Sequence, residues 1–486
     1  MSYISGEDRN QSILFPQSLE EYITKDNPVR IINEYVTQLD LQKLKFTHSS
    51  PKEKGRPAYH PGDMLRIYLY GYLNHIRSSC RLETEAKRNI ELMWLVRKLS
   101  PDFKTIADFR KDNKKALVQV FRDFTRLCSN WQLFGKELIA IDGSKFRASN
   151  SKRNNYSKKK LARHINYINE KIAGYLTELD ETDQTESGDH KPDAKEVQKR
   201  INQLKDRKAK YQSYQDNLDN TNTNEISTTD PDARLMVGNN NSVEVSYNVQ
   251  TSVDAKHKLI ADFKVINKPN DLGQLAPMAL RAKKILGKPS FTVLADKGYY
   301  HARNLQSCLA RGITTYVTKQ IYSNGTGDKE FYPDKFSYDK NNDCYLCPAG
   351  KRLYYYRTRK KGGKIIGKTY RNLKACSQCP IKARCTKAVK GRTIFRNKNQ
   401  DLLDRIDRQT RENLQTYKLR QMIVEHPFGT IKRAWGASYF LTRRKASVSA
   451  EIALSFLSYN LKRVINILGT EEILRRLREN KQAVSV

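Results

Sequence analysis

The sequence predicts an α/β protein, with a mixed-sheet core preceded by helices and interrupted by two insertions. Three observations point there. Short apolar runs at 138–141 and 291–295 have the length of buried strands. Two alternating segments, 243–253 and 259–266, flank a turn at 254–257 and read as a β-hairpin. Helical patterns surround and separate these segments, the order expected of a mixed sheet with crossover helices.

Residues 1–130 read as an all-helical N-terminal DNA-binding domain. Ser18-Leu-Glu-Glu21 resembles a capping box ahead of a helix. Pro61-Gly-Asp-Met64 opens a periodic stretch through Leu65, Tyr68, Tyr72 and Leu73, and further helices surround 90–99 and 107–127. Short helices joined by polar turns suit a helix-turn-helix or a plain bundle, and Arg66, Arg77, Arg81, Lys87 and Arg88 favour phosphate contact. Residues 131–156 begin the core. Residues 157–218 read as an inserted antiparallel helical hairpin. Its seam runs through Leu161, Ile165, Ile168, Ile172, Tyr175 and Leu179, breaks at Ser187-Gly-Asp-His-Lys-Pro192, and resumes at Val197, Ile201, Leu204 and Tyr211.

The core continues over 219–320. An Asn, Thr and Asp-rich loop at 219–242 leads to the hairpin. A helix over 272–286, the strand at 291–295 and a helix through 305–311 follow. Residues 321–400 form the second, cysteine-rich insertion. Residues 401–486 read as the helical end of the core, with Leu403, Ile406, Thr410, Leu414 and Tyr417 along one side of its first helix and Ile452, Leu454, Phe456, Leu457, Leu461 and Ile465 in its last.

The formal net charge of the 486 residues is +37, from 89 Lys+Arg against 52 Asp+Glu, which predicts attraction to a polyanion. No run of 18 apolar residues occurs, so no membrane span or membrane partner is expected. Residues 1–8 have neither a basic n-region nor an apolar h-region, which argues against a secretory signal and for a cytoplasmic protein, nucleoid-associated when bound to DNA.

Within this basic chain three acids stand out. Asp142 ends the run Glu137-Leu-Ile-Ala-Ile-Asp, and Asp296 ends Phe291-Thr-Val-Leu-Ala-Asp. Glu425 lies in Val424-Glu-His-Pro-Phe-Gly429. Strand ends present carboxylates from rigid supports, as Mg²⁺ requires, and two ions can stabilise the attacking and leaving oxygens of a phosphodiester displacement. Gly143 and Gly298 follow as turn-permissive residues. Asp254, Asp262 and Asp271 compete for the second position. Asp254 reads as a hairpin-turn residue, Asp262 alternates with core positions and Asp271 looks like a helix N-cap. Lys432 lies two helical turns beyond Glu425, placed to bind phosphate. Pro427 predicts a kink or restart.

Together these segments resemble the DDE-type transposases of bacterial insertion sequences, and most nearly insertion-sequence family 1182. Ile141-Asp-Gly-Ser144, Ala295-Asp-Lys-Gly-Tyr299 and Tyr417-Lys-Leu-Arg420 with Glu425 and Lys432 are similar to the family's signatures. So are Thr229-Asp-Pro-Asp-Ala-Arg-Leu-Met236, Gly55-Arg-Pro57 and Tyr59-His-Pro61. The resemblance implies a ribonuclease-H-like core and Mg²⁺-dependent cleavage and strand transfer on double-stranded DNA, both transposon ends and target. It implies two ions, with Mn²⁺ as a substitute, at Asp142, Asp296 and Glu425, with Lys432, Arg420 and Tyr417 on the DNA. Pairing two ends implies a homodimer in a synaptic complex. One departure is the spacing between Arg420 and Glu425, four residues where the broader signature has three. Tyr299 and Trp435 read as core or hinge residues, with base stacking the alternative.

In the second insertion, Cys344-Tyr-Leu-Cys347 and Cys376-Ser-Gln-Cys379 form two C-x₂-C pairs, followed by Cys385. Such pairs predict a structural, zinc-ribbon-like Zn²⁺ site with one spare thiol, Cys376 or Cys385. Residues 344–400 contain 17 Lys or Arg and no Asp or Glu, with Tyr354, Tyr355 and Tyr356 among them. That block, including Lys360 and Lys361, predicts DNA contact. Two alternatives to a transposase stay open: a nuclease with the same core, and a non-catalytic zinc-module DNA-binding protein.

Overall fold

A computed structural model describes residues 18–50, 57–184, 194–238 and 241–484. The sequence readings at 1–8, at Gly55 and Arg56 and at Ser187–Pro192 lie outside the described residues. The N-terminal part contains α1 (Val29–Gln38), α2 (Pro61–Leu73), α3 (Ser79–Arg88), α4 (Ile90–Leu95), α5 (Phe103–Asp112) and α6 (Lys114–Asn130). Helix α2 starts at Pro61, where a missing N–H is harmless, and His60 caps it by accepting from the Gly62 N–H. At Ser18 half of the capping box forms, the Ser18 N–H donating to Glu21 Oε1 while Ser18 Oγ accepts from the Glu20 N–H, but turns follow and the first helix waits until Val29. The pattern over 107–127 spans two helices rather than one. Asn113 separates them, and its side chain is held by the Thr47 N–H (2.7 Å).

The core begins with β1 (Leu138–Arg147) and β2 (Asn155–Ser157). The hairpin helices α7 (Lys158–Gln184) and α8 (Ala194–Asn220) follow and bury Leu161, Ile168, Tyr211 and Leu218 between them. Then come β3 (Glu225–Ser227), β4 (Arg234–Val237), β5 (Val243–Asp254), β6 (Ile260–Ile266), α9 (Leu275–Leu286), β7 (Phe291–Ala295), α10 (Ala302–Leu309) and β8 (Ile313–Val317). The segment read as a loop at 219–242 therefore contains two short strands, of which β3 pairs with β2. The main sheet runs β4-β5-β1-β7-β8, with β6 also on β5. Strands β4, β5, β6 and β1 pair antiparallel, whereas β1, β7 and β8 are parallel. This is a mixed α/β architecture consistent with a nuclease-like core.

The module comprises β9 (Ser337–Asp339), β10 (Cys344–Leu346), β11 (Arg352–Lys361), β12 (Lys364–Arg371), the short helices α11 (Leu373–Ser377) and α12 (Lys382–Cys385), and β13 (Thr393–Asn397). Its five strands form an antiparallel sheet. The chain then runs through α13 (Gln400–Glu412), α14 (Leu414–Gly429), a π-helical turn at Thr430–Ala434, α15 (Lys445–Leu468) and α16 (Thr470–Val484). Leu403, Ile406 and Thr410 are buried as the periodicity predicts. The helix ends at Asn413, however, and Leu414 and Tyr417 belong to the next one.

One apolar core, from Ile23 to Leu477, joins the N-terminal helices to the sheet and to α15. Phe121 of α6 meets Phe263 of β6 edge-on at 5.1 Å, and Phe263 meets Phe456 of α15 at 5.3 Å. Truncating one such ring to alanine costs about 3–5 kcal/mol. Several of the basic residues expected on phosphate also pair with acids of the chain. Arg66 pairs with Asp63, Lys87 with Glu83 and Arg88 with Glu85. Arg77 reaches buried Glu451 and the Tyr439 carbonyl.

Candidate active site

The parallel pairing of β1 with β7 sets Ile141 opposite Ala295. The next residues, Asp142 and Asp296, therefore stand side by side on neighbouring strands, roughly 5 Å apart at the backbone. Strand β1 does not end at Asp142; it continues through Arg147, so this aspartate lies mid-strand. Asp296 does end its strand and accepts from the Gly298 N–H at 2.8 Å. Asp142 accepts from the Gly143 N–H at 2.9 Å. Each of these bonds fixes one carboxylate oxygen.

Gly143 is extended backbone rather than a turn. A Cβ there would stand 2.2 Å from Gln250 Nε2 and 2.4 Å from Asp271 Oδ1, so its lack of a side chain permits a close approach.

Arg420 of α14 places Nη1 3.5 Å from Asp142 Oδ2. Burial pushes Asp142 up to about 7. Arg420 opposes that shift, and the charges of Asp296 and Asp271 add to it. Asp296 is also raised, again mainly by burial, with Asp271 contributing. Paired carboxylates held up in this way are short of positive charge, and hard oxygen donors of this kind suit Mg²⁺ or Mn²⁺. Among the described residues, no group of three or more Cys, His, Asp or Glu is already arranged to hold an ion.

The remaining site residues lie along α14 and its π turn. Tyr417 bonds Thr318 Oγ1 at 2.9 Å, just past β8. Glu425 is exposed and accepts from Gln421 Nε2 (2.8 Å), one turn back. The four-residue spacing explains this placement. Five helical steps turn Glu425 about 140° away from Arg420, whereas four would leave about 40°. The structure thus brings Asp142, Asp296 and Arg420 together and leaves Glu425 on the flank. Helix α14 runs through Pro427 without a break, and the irregularity comes after Gly429, in the π turn.

Beyond that turn, Lys432 does not face outward for phosphate. Its Nζ donates to Ser144 Oγ and to the Lys145 carbonyl, both at 2.6 Å, and lies 4.3 Å from the Phe146 ring centroid. Burial lowers its pKa to about 8. Tyr299 is fully buried, with its hydroxyl on Gln250, and Trp435 stacks on His75 at 4.9 Å, so both are packing residues here.

Asp254 takes the turn role read from its sequence, accepting from the N–H groups of Gly135, Lys136 and Lys256. Asp262 is paired with Arg281. Asp271 is not the cap of α9; that position is Gln274. Sequence reasoning set Asp271 aside, yet the structure places it against both candidate aspartates. The overlooked signal was Asn248 and Gln250, polar residues two apart on an otherwise buried strand.

In the module, Cys347, Cys376, Cys379 and Cys385 line one small pocket with Phe331, Phe336 and Leu353. The thiol that stands apart is Cys344, buried in β10, rather than Cys376 or Cys385. Cys347 Sγ accepts from the Lys351 N–H (3.3 Å) across a tight turn, where Gly350 adopts φ +71°. Burial and the neighbouring sulfurs raise the Cys385 thiol, against the opposing charge of Arg392.

Lys360 and Lys361 are exposed at the end of β11, next to the Gly362-Gly363 turn. Tyr354, Tyr355 and Tyr356 are exposed on the same strand. Flanking acids offset part of the basic block, in the pairs Lys368–Asp343, Arg384–Asp328 and Arg396–Asp401.

A mixed sheet that sets two aspartates of raised pKa beside one arginine is consistent with a nuclease-like core. Family models place the chain further. Residues 17–112 match a transposase domain (DUF772), and residues 346–465 match a transposase DDE domain, which includes Glu425. Asp142 and Asp296 lie outside both spans. The chain is an insertion-sequence transposase of the DDE class, enzymes that cleave DNA and transfer its strands, and family 1182 is consistent with both matches. No curated protein matches the chain, and no solved structure does. Among the described residues no helix is long and apolar enough to cross a membrane.

Proposed function

We propose that this chain binds the ends of its element, cuts them at the Asp142–Asp296 site and joins the freed 3′-hydroxyl to target DNA. The observation that supports this most is the parallel register that aligns the two aspartates. The strand order β6-β5-β1-β7-β8, three antiparallel strands followed by two parallel ones, with β4 added along the edge of β5, fits a ribonuclease-H-like core. Asp142, Asp296 and Glu425 would hold two divalent ions, Mg²⁺ or Mn²⁺. Such ions supply charge to the attacking and leaving oxygens. Arg420 steadies Asp142 and, with Tyr417, anchors α14 against the sheet. Lys432 locks the end of that segment onto β1.

Cys347, Cys376, Cys379 and Cys385 fit a closed, structural Zn²⁺ site, since four thiolates leave no open position. The module's exposed Lys360, Lys361 and tyrosines suit a DNA backbone. Acting on two ends calls for at least a homodimer, working in the cytoplasm on the nucleoid.

The test is incubation of the chain with Mg²⁺, a labelled duplex carrying the element's end and a target plasmid. Joined products are expected. Cleaved but unjoined ends would indicate a nuclease, and tight binding with no product would indicate a non-catalytic DNA-binding protein.

A further inference from the structure

We infer that Asp271 is a further ligand of the divalent-ion site, a carboxylate built into the floor of the core beside Asp142 and Asp296. This rests on the metal-dependent reading above and adds to it a residue outside the Asp-Asp-Glu set.

Asp271 lies just ahead of α9, but its side chain turns toward the sheet. Its Oδ1 accepts from Asn248 Nδ2 at 2.8 Å and from Gln250 Nε2 at 2.6 Å. Those two residues are two apart on β5 and so share one face. Both are buried. Gln250 Nε2 also donates to Asn248 Oδ1 (2.9 Å), and Gln250 Oε1 accepts from the buried Tyr299 hydroxyl (2.6 Å). Four side chains thus form a closed polar network between β1 and the turn that carries Asp296.

Buried polar groups in a sheet are tolerated only when satisfied, and this network satisfies its members by fixing a single carboxylate oxygen. Asp271 Oδ2 makes no hydrogen bond among the described residues. It borders Gly298, 3.7 Å from where a Cβ would stand, and Asp296 Oδ1 borders the same point at 3.0 Å. Gly143 completes the argument, because a side chain next to Asp142 would push Asp271 out. One oxygen pinned by outer donors and one left toward a neighbouring carboxylate is how proteins orient a metal ligand.

Mn²⁺ binding to the full-length chain, measured by water-proton relaxation, tests this with wild type, D142N and D271N. Asn at 271 keeps an oxygen for Asn248 and Gln250 and replaces Oδ2, so its melting curve should match wild type. The expected result is Mn²⁺ binding weakened about tenfold or more by D271N, with DNA cleavage falling in parallel. D271N binding Mn²⁺ like wild type, while D142N does not, would overturn the role of Asp271 and leave the ion site standing. No Mn²⁺ bound by wild type would overturn the underlying reading as well. Should D271N fail to fold, D271C serves instead. A thiolate favours softer ions, so cleavage supported by Mn²⁺ or Cd²⁺ and not by Mg²⁺ is expected. Equal cleavage with all of them would contradict a ligand at 271.

Discussion

The core sheet and the module sheet solve the same problem with different means. In β5, residues 245–254 are buried without interruption, so both faces of the core sheet are covered by helices and the register of β1 on β7 is fixed by packing. The module sheet buries a cluster of only five residues: Phe336, Tyr345, Leu353, Tyr370 and Ile394. It turns Tyr354, Tyr355, Lys360 and Lys361 to solvent. The contrast shows where each region obtains its order. The core can hold unfavourable carboxylates in place because the surrounding apolar packing outweighs their cost. The module has too little apolar area for that, and the proposed Zn²⁺ at its four clustered cysteines would supply a cross-link.

The largest expected effect comes from breaking that cross-link. C376S or C385S should lose one Zn²⁺ per chain by elemental analysis and open residues 321–400 to protease, leaving the core resistant. Structural zinc contributes about 10 kcal/mol or more to small metal-held units. C344S should keep its zinc. Equal zinc loss from C344S and C376S would erase the distinction between the buried thiol and the other four.

The core should respond in the opposite sense when its polar site is neutralised. Asp142 is raised to about 7 in the fold, against about 4 in an unfolded chain. Between those values the folded state keeps a proton that the unfolded state has released, so this residue's contribution to stability falls as pH rises from about 4 to about 7. D142N removes that penalty. Without metal at pH 8 it should stabilise the chain by about 2–4 kcal/mol, seen as a higher melting temperature, with the gain vanishing near pH 4. A lower melting temperature at pH 8 would show that the carboxylate is not strained.

The smallest effect is expected at the module's exposed end. K360E/K361E should weaken DNA binding about tenfold and reduce the salt slope by about two. An unchanged titration would remove this strand from the DNA contact.

Much of the core was legible because apolar runs and alternation reflect burial directly. Strands β1, β5, β6 and β7 and the hairpin of α7 and α8 were all read from such patterns. Strand β8 was not, since Ile313-Thr-Thr-Tyr-Val317 is short and half polar. Its place is secured from outside, where Thr410 Oγ1 accepts from the Val317 N–H. Strand β4 sits in an Asn- and Asp-rich segment and exists because β5 offers it an edge.

At the site, Asp142 and Asp296 were visible, but their alignment depends on strand pairing between positions 154 residues apart in the chain. Asp271 was misread because its position before a helix imitates a cap. Its actual partners lie more than 20 residues back, on another strand. Lys432 was misplaced because the π turn shifts the helical register that its spacing assumed. The separation of Cys344 from the other thiols depends on strand β10, which spacing alone does not reveal.

The most direct measurement is DNA cleavage and joining by D142N and D296N in Mg²⁺, scored beside binding of the same labelled end. Both variants should bind the DNA as wild type does and lose product formation by about a thousandfold or more. Either variant cutting and joining at the wild-type rate would contradict the assignment of the paired aspartates as the catalytic centre.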